Sequence, residues 1–421
     1  MTKSEYMSVL REKLQRYNRA LETEILEDYE QHFAEGLAEG RTEEEIIAEL
    51  GNIEDMLQEF SEEDLKQELE AVENQASQSN TYEQLYRAVV IEGLLADVEV
   101  RRSQDDQLRI DYENRGSKSQ KLRYRFYQYE ENGVFYAGVR EHRSADFGGD
   151  AGSGSIWNVF SHIPTRSGGD IEVRIEIPAG IPAIKVHTSS GDLDIREIQT
   201  QELEARCTSG DLQIEDVACK RLNGKTQSGD MEVSGVSMNV CEDTEIELCT
   251  TSGDMEIRRL AAARIRMQTS SGDLSVKELE AEQLLIHTAS GEQELENVTC
   301  QRAALRSGSG DIDARNMQGK ELSAEAGSGE VELQADMETF AVRTGSGDIN
   351  VTPGSGARQI CLDAGSGSVF LNMGRVEGAT IAARTGSGDR SIRGYEISSL
   401  SYGSGVCQVK ITTGSGDIEV K

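Results

Sequence analysis

Long apolar runs are absent from this chain of 421 residues. The longest apolar patch, 88–91, is interrupted by Glu92, far short of the roughly 18 apolar residues of a membrane-spanning helix. The first residues, Met1 to Tyr6, lack the apolar core that a signal peptide needs. The sequence therefore predicts a cytoplasmic protein with no transmembrane segment.

Positive charge is scarce as well. Lysine and arginine total 43 against 76 aspartates and glutamates, a formal net charge of −33. Such a surface repels phosphate backbones and anionic headgroups. We therefore expect no direct binding of nucleic acid.

Motifs of catalysis and cofactor binding are missing too. The sequence has no His-Glu-x-x-His, no nucleophile elbow and no P-loop. His187 and His287 occupy equivalent repeat positions but lie five repeats apart, too far to share an ion. Seven cysteines form an odd set without a Cys-x-x-Cys pair, which favours small buried thiols in a reducing compartment. These features predict a protein that is not an enzyme and that binds no cofactor.

A short motif, Ser-Gly-Asp with its variants, recurs from residue 188 to the end. Most steps between successive turn glycines are 19 residues, with single steps of 24, 18 and 20, and the last copies fall out of step. A nearly fixed period indicates one structural unit stacked many times. The turn glycines of the regular copies are Gly191, Gly210, Gly229, Gly253, Gly272, Gly291, Gly310, Gly329 and Gly347, followed by Gly367, Gly388 and Gly416, with a degenerate copy at Gly405.

Apolar residues alternate with polar ones on both sides of each glycine. Around Gly272 they are Ile265 and Met267 before the turn and Leu274 and Val276 after it. Period-two alternation predicts two strands, each with one buried face, joined by a tight turn. A further apolar residue seven positions after the glycine closes the coil at a second corner.

A single coil cannot stabilise itself. About six buried side chains at roughly 1.5–3 kcal/mol each do not offset an ordering cost of about 1.5 kcal/mol per residue. Stacking coils about 4.8 Å apart extends a shared core. The predicted fold is mainly β: a β-solenoid of about a dozen coils of ~19 residues with an irregular β cap at its N-terminal end, preceded by a small all-α helical bundle. A β-sandwich is the competing fold, and non-sequential strand pairing between coils would contradict the solenoid.

Acidic residues follow the turn glycines in nine successive copies. Neighbouring carboxylates about 4.8 Å apart repel by roughly 0.9 kcal/mol in water, so the column must face solvent, be balanced or bind cations. One interpretation is that each carboxylate accepts hydrogen bonds from turn amides, with Arg206, Lys225 and equivalent cations as compensation. The other is a ladder of divalent cations. The candidate ligands are Asp192, Asp211, Asp230, Asp254, Asp273, Asp311 and Asp348, with Glu292 and Glu330 in the same column.

Residues 1–74 have another pattern, with few glycines and apolar residues at helical spacing. Tyr6 and Leu10 belong to one such series. Thr42 followed by Glu45 is a capping box, and Gly51 ends the helix that it opens. The pattern predicts four or five short helices, followed by a polar linker over 75–81.

An acidic run at 24–36 reads Glu-Ile-Leu-Glu-Asp-Tyr-Glu-Gln-His-Phe-Ala-Glu-Gly, and Gly-Arg-Thr and Leu-Gly-Asn segments follow at 40–52. Together these segments resemble the HAAS domain, the helix-turn-helix-associated α-helical signalling domain of bacteria. The resemblance covers roughly residues 3–62. It implies an intracellular signalling role beside a protein partner, often a PadR-type transcriptional regulator. Many relatives continue into membrane helices, and this chain departs from them there. The acidic helix is either a solvated face or the surface that docks a basic partner, through Glu24, Glu27, Asp28 and Glu35.

Period-two patterns begin again at Tyr82. Residues 82–183 form the predicted irregular β cap, and 184–421 form the Gly-Asp repeat solenoid. Together they resemble a bacterial β-strand repeat family labelled putative adhesins, and the resemblance implies the fold. The chain ends on a predicted strand, 417–421, whose open edge we expect to pair with a partner or a second copy.

These features favour a non-enzymatic signalling or regulatory protein. Its helical domain docks a protein partner, and its solenoid presents a long binding surface. The alternative is an envelope-associated adhesin or a cell-envelope stress-response protein. Protease sensitivity on intact cells separates the two.

Overall fold

The computed structural model describes residues 2–14, 33, 42–43, 46–47, 86–141, 170–240 and 243–421. The predicted linker 75–81 and most of the predicted helical region lie outside these residues. Helix α1 (Lys3–Leu14) buries Tyr6 and Leu10, as the helical spacing predicts. The Tyr6 ring packs edge-on against Phe33 with 6.0 Å between ring centroids. The described residues thus support one helix, and the bundle of four or five helices stays a prediction.

The region predicted to be an irregular cap contains six strands and a short helix. They are β1 (Ala88–Leu94), β2 (Asp97–Arg102), β3 (Arg109–Asn114), α2 (Lys118–Arg123), β4 (Tyr124–Glu131), β5 (Val134–Glu141) and β6 (Ile171–Ile177). β5 and β6 pair in parallel with β1 and β2, whereas β4 and β3 pair antiparallel on the outside of β5 and β6. β3 and β4 therefore form the cap, and the other strands are regular layers of the stack.

The repeat region continues the stack in sequence order through ten glycine turns, and its strands pair in parallel from layer to layer. Each layer has one strand before its turn glycine and one after it, and in the later coils a single long strand runs through the second corner. The strands are β7 (Ala183–Thr188), β8 (Leu193–Arg196), β9 (Glu202–Ser209), β10 (Leu212–Glu215), β11 (Arg221–Ser228), β12 (Met231–Ser237), β13 (Glu245–Ser252), β14 (Met255–Ser271), β15 (Leu274–Ser290), β16 (Gln293–Ser307), β17 (Ile312–Ala326), β18 (Val331–Thr344), β19 (Ile349–Pro353), β20 (Gln359–Ala364) and β21 (Val369–Leu371).

The apolar columns predicted from the repeat line one continuous interior. Met255, Leu274 and Ile312 are register partners in one column, and each is almost fully buried. Residues seven after the glycine, such as Leu260 and Leu279, are also buried. This part of the predicted solenoid is confirmed: the chain is mainly β, and successive coils share one core.

The second corner explains two irregular steps of the repeat. In most coils the residue six after the turn glycine has a positive φ, as at Glu278 (61°) and Asn316 (54°). The next layer lacks this residue: Arg315 pairs with Gln334 and Met317 with Ala335, so no residue of that layer pairs with Asn316. That deletion produces the step of 18. The step of 24 contains an insertion between β12 and β13.

Strand pairing is not sequential at either end, contrary to the prediction. β1 lies between β5 and β7. At the other end the remaining strands are β22 (Ala379–Ser387), β23 (Arg390–Ile392), β24 (Ser399–Tyr402), β25 (Cys407–Ser415) and β26 (Ile418–Val420). β25 pairs with β20 on one side and β22 on the other, and β26 pairs with β21 and β23.

The chain therefore first builds its outermost layer, β22 and β23. It then turns back through the antiparallel strand β24 and inserts its last two strands one layer inward. Because β26 is paired on both sides, the prediction that the C-terminal strand offers an open edge to a partner or second copy is wrong. Insertion satisfies both edges of the final strands, and β24 covers part of the new end.

Candidate functional site

The turn glycines are packed against the backbone of the neighbouring coil. A Cβ atom on Gly310 would lie 1.9 Å from the carbonyl oxygen of Gly291, and one on Gly329 would lie 2.0 Å from that of Gly310. No side chain fits at such a distance, so glycine is required by close approach of two coils. Gly416 lies between Gly367 and Gly388 in this column, which explains why the last copies fall out of step. Gly405 lies outside the column, in the turn after β24.

The acid column forms a hydrogen-bonded ladder between coils. The backbone N–H of Asp211 donates to Oδ1 of Asp192 (2.9 Å), and that of Asp230 donates to Oδ1 of Asp211 (2.9 Å). The same bond recurs from Asp254 to Asp230 and from Asp273 to Asp254. Further rungs end on Asp311 and Asp348, and the ladder begins one layer earlier, on Asp97. Each aspartate thus satisfies an amide at a corner where the strand ladder is interrupted.

The two glutamates in the column do not continue the ladder. The backbone N–H groups of Glu292 and Glu330 donate to Asp273 and Asp311 of the preceding coils. Within the described ranges, however, the amides of Asp311 and Asp348 donate to no carboxylate of the preceding coil, so the glutamate side chains accept no rung. A glutamate carboxylate sits one methylene farther from the backbone than an aspartate carboxylate. Burial raises the pKa of Glu330, and the charges of Asp348 and Asp311 raise it further.

Replacing Glu292 with aspartate is expected to restore one rung. The gain of a hydrogen bond from the Asp311 amide should raise the free energy of unfolding by about 0.5–1.5 kcal/mol. The reverse change, Asp273→Glu, should remove the rung to the Glu292 amide and lower it by a similar amount. Thermal unfolding followed by circular dichroism measures both, and equal effects of the same sign would contradict the ladder.

The structure bears differently on the two interpretations of the acid column, hydrogen bonding to amides and binding of divalent cations. The amide role is confirmed, except that each amide belongs to the next coil. Three of the cations expected to compensate the column pair elsewhere: Arg206 with Glu204, Lys225 with Glu247 and Arg306 with Glu325. Across the described ranges no group of three or more His, Cys, Asp or Glu side chains is placed to hold a metal ion. The ladder of divalent cations stays a prediction.

The cysteines are single thiols. Six of them are described, all free, and Cys207, Cys219, Cys300 and Cys407 are buried. Burial raises the pKa of Cys207 and Cys300 to about 11 and that of Cys219 to about 12. These groups stay protonated at neutral pH and are poor nucleophiles. Cys249 and Cys361 are only half-buried, which the sequence did not indicate.

One buried polar residue interrupts the aliphatic interior. Gln293 is fully buried between Leu274 and Ile312 in their column. Its Nε2 donates to Thr288 Oγ1 (3.0 Å) and to the Arg306 carbonyl (2.6 Å). Its Oε1 has no hydrogen-bond partner among the described residues.

Gln293→Leu should therefore stabilise the stack. It removes the buried oxygen that lacks a partner and adds an aliphatic side chain to the column, for a gain of about 1–2 kcal/mol. Gln283→Leu, at an exposed position of the preceding strand β15, is the control and should change stability by less than about 0.5 kcal/mol. A lower melting temperature for Gln293→Leu would show that the amide is needed.

A shallow trough runs across the coils on the face formed by the strands that precede the turn glycines. Its floor is an outward-facing column of mostly small side chains, which are register partners in successive layers: Leu285, Ala304, Ser323, Ala341 and Cys361. The first four line a cavity of about 470 Å³. In the same column, Arg266 precedes Leu285 and Lys410 follows Cys361, so a cation closes each end.

The two walls of the trough are the columns two residues to either side of the floor. Arg302 and Thr339 lie on one wall, and His287, Arg306 and Arg343 lie on the other. Sequence reasoning missed this surface because outward-facing positions vary from coil to coil. The available signal was the change from charged residues to small ones, between Arg266 and Cys361, at one repeat position.

The Toastrack DUF4097 family model matches residues 86–242 and 236–421, most of the chain. The chain belongs to the Toastrack DUF4097 family.

The two Toastrack matches overlap at 236–242, beside the insertion that lengthens one repeat step to 24 residues. Both the acid ladder and the trough lie within them. A HAAS family model matches residues 5–59, which confirms the resemblance stated from the sequence. The candidate docking residues Glu24, Glu27, Asp28 and Glu35 fall within this HAAS match but outside the described residues.

Solved structures similar to the Toastrack chain include three from bacteria. A putative cell adhesion protein from Clostridium sporogenes has 10% identity, 82% coverage of this chain, 96% coverage of its own and a TM-score of 0.20. A putative adhesin from Bacteroides fragilis has 13% identity, 82% and 96% coverage and a TM-score of 0.21. A putative lipid binding protein from Parabacteroides distasonis has 13% identity, 81% and 96% coverage and a TM-score of 0.24. No curated protein matches the chain.

Within the described ranges, none of the helices has both the length and the apolar character needed to cross a bilayer.

Proposed function

We propose that this protein is a non-enzymatic, cytoplasmic signalling protein of bacteria. Its HAAS domain docks a protein partner, a PadR-type transcriptional regulator, and its Toastrack stack acts as a binding surface. The observation that carries the proposal is the HAAS match over residues 5–59, joined to a stack of parallel coils.

The chemistry of the described residues supports binding rather than catalysis. The buried thiols have raised pKa values, and the aspartates of the acid column accept hydrogen bonds from backbone amides of neighbouring coils. His187 and His287 are separated by five coils, about 24 Å at the stacking distance. The stack instead repeats one outward-facing pattern over many layers, which suits an extended binding surface.

The acidic residues of the HAAS match supply the proposed docking surface. Clustered carboxylates steer and hold a partner with a basic surface. The test is to titrate the full chain with the PadR-type regulator encoded in the same genome and to measure Kd by biolayer interferometry. Neutralising four acids together, Glu24→Gln, Glu27→Gln, Asp28→Asn and Glu35→Gln, should weaken binding about tenfold or more.

The matched control changes the net charge equally on the stack, with Glu280→Gln, Glu282→Gln, Glu294→Gln and Glu296→Gln, all at exposed positions. This variant should bind the regulator as the unchanged chain does. Absence of binding by the unchanged chain, or equal weakening by both variants, would contradict the proposal.

A further inference from the structure

We propose that the trough binds an extended acidic peptide segment of a protein partner. The peptide carboxylates pair with Arg266, Arg302 and Arg343, and its small side chains lie over the floor. This inference rests on the proposed role of the Toastrack stack as a binding surface and adds its location and its ligand chemistry.

The trough is a positive surface on a chain of net charge −33. Four carboxylates line it, Glu245, Glu321, Glu325 and Asp363, of which Glu245 pairs with Arg264 and Glu325 with Arg306. They are outnumbered by six cations on the walls, the floor column and its ends, namely Arg264, Arg266, Arg302, Arg306, Arg343 and Lys410. A local positive patch in a negative field attracts a ligand that carries only a few negative charges. Long polyanions such as nucleic acid meet repulsion from the rest of the surface.

Three of these guanidinium groups are available for a ligand. Within the part of the chain that the structure describes, arginines on the opposite face are paired, as Arg258 is with Glu256 and Arg315 is with Asp313. No such ion pair holds the exposed Arg266, Arg302 or Arg343 in the same described ranges. An unpaired arginine presents a planar fork that accommodates a carboxylate in two parallel hydrogen bonds.

The spacing of these arginines selects the backbone conformation of the ligand. Arg266, Arg302 and Arg343 lie in alternate layers, on the floor column and on the two opposite walls, so they follow one another at about 9.6 Å along the stack axis. A polyproline II peptide rises about 3.1 Å per residue with three residues per turn, which places every third side chain on one face about 9.3 Å apart. An acidic residue at every third position therefore matches the axial spacing of the arginines, whose long side chains reach it from the floor and from both walls.

The floor and its ends set the size of the ligand. Ala304, Ser323 and Ala341 leave room for a backbone with small side chains. Arg266 and Lys410 are six layers apart, about 29 Å. This length corresponds to about nine residues of polyproline II.

The direct test uses the full chain and a fluorescent nine-residue probe, three repeats of Glu-Pro-Ala, at low ionic strength. Fluorescence anisotropy should show saturable binding that salt weakens. Arg302→Gln and Arg343→Gln should each weaken binding about threefold to fivefold, and the double variant more than about tenfold. Arg258→Gln, at an exposed position on the opposite face, should leave binding unchanged. A probe with glutamine in place of glutamate should not bind.

Two further readouts separate the trough from a general attraction between charges. Ala304→Phe fills the floor without changing charge and should weaken binding as much as the double arginine variant. Cys361 lies in the floor, so a bound probe should slow its alkylation at least about threefold. The glutamine probe, which should not bind, is the control and should leave the alkylation rate of Cys361 unchanged.

Equal binding by the double arginine variant and Arg258→Gln would overturn the inference, as would alkylation of Cys361 at the same rate with and without probe. Tighter binding of an oligonucleotide or an acidic polysaccharide than of the peptide would also overturn it. Binding of the regulator through the HAAS residues is measured separately with the variants at 24–35, so failure at the trough is distinguishable from failure of the proposed function.

Discussion

Gly310→Ala is expected to destabilise the stack by about 3 kcal/mol or more. The added Cβ would lie 1.9 Å from the carbonyl oxygen of Gly291, and the atom in its way belongs to backbone held by the neighbouring coil. Relief requires the two coils to separate at the corner, which breaks hydrogen bonds on both sides. Urea unfolding of the full chain, followed by circular dichroism, measures the loss.

Gly394→Ala is the matched control. Gly394 also lies in a turn, with φ of 80°, but an added Cβ would have no atom within 4 Å. Only the cost of a left-handed conformation remains, about 1–2 kcal/mol. If the two variants lose the same stability, close approach of the coils does not explain the glycine column.

Val276→Asp should have the second large effect, a loss of about 4 kcal/mol or more in the free energy of unfolding, with loss of the folded signal at moderate temperature. Val276 is fully buried, and its neighbours in the column are Ile257 and Leu295. A carboxylate at this point has no water and no partner, so it must be neutralised or the coil must open. The melting curve reports the change.

The control for Val276→Asp is Gln283→Asp, an exposed change in the same strand beside Arg264 and Arg302. It should alter stability by less than about 0.5 kcal/mol. An unchanged melting temperature for Val276→Asp would mean that the successive coils do not share an interior.

The interior could be predicted because burial forces the same residue type into every coil. Ile265 and Met267 face the core, and so do their partners Leu284 and Ile286. The turn glycines were predictable for the same reason, since each meets a neighbouring backbone. A constraint that recurs in every layer leaves a periodic pattern in the sequence.

The order of the layers at the ends could not be predicted from that pattern. Gly367, Gly388 and Gly416 each begin a turn that fits against any other turn of the stack. Nothing in the repeat itself specifies which copy is outermost. The irregular spacing of the last copies was a signal of the change in order, but it did not specify the new one.

The trough was missed for a related physical reason. Ala304 and Ser323 face outward, where packing does not restrict the side chain, so their residue types carry no information about the fold. Only their register, which brings them into one column between Arg266 and Lys410, gives them a common surface. The ladder was predicted in part, since its carboxylates were expected to bind amides but the amides of the next coil were not identified.

The layer order at the C-terminal end tests the account most directly. In a background with Cys249→Ser and Cys361→Ser, the pair Asp363→Cys and Thr412→Cys should form a disulfide, because the two residues are register partners about 4.8 Å apart. The pair Asp363→Cys and Arg384→Cys should not, since β25 separates them. Cross-linking of the second pair and not the first, seen on non-reducing gels, would contradict the inserted C-terminal coil.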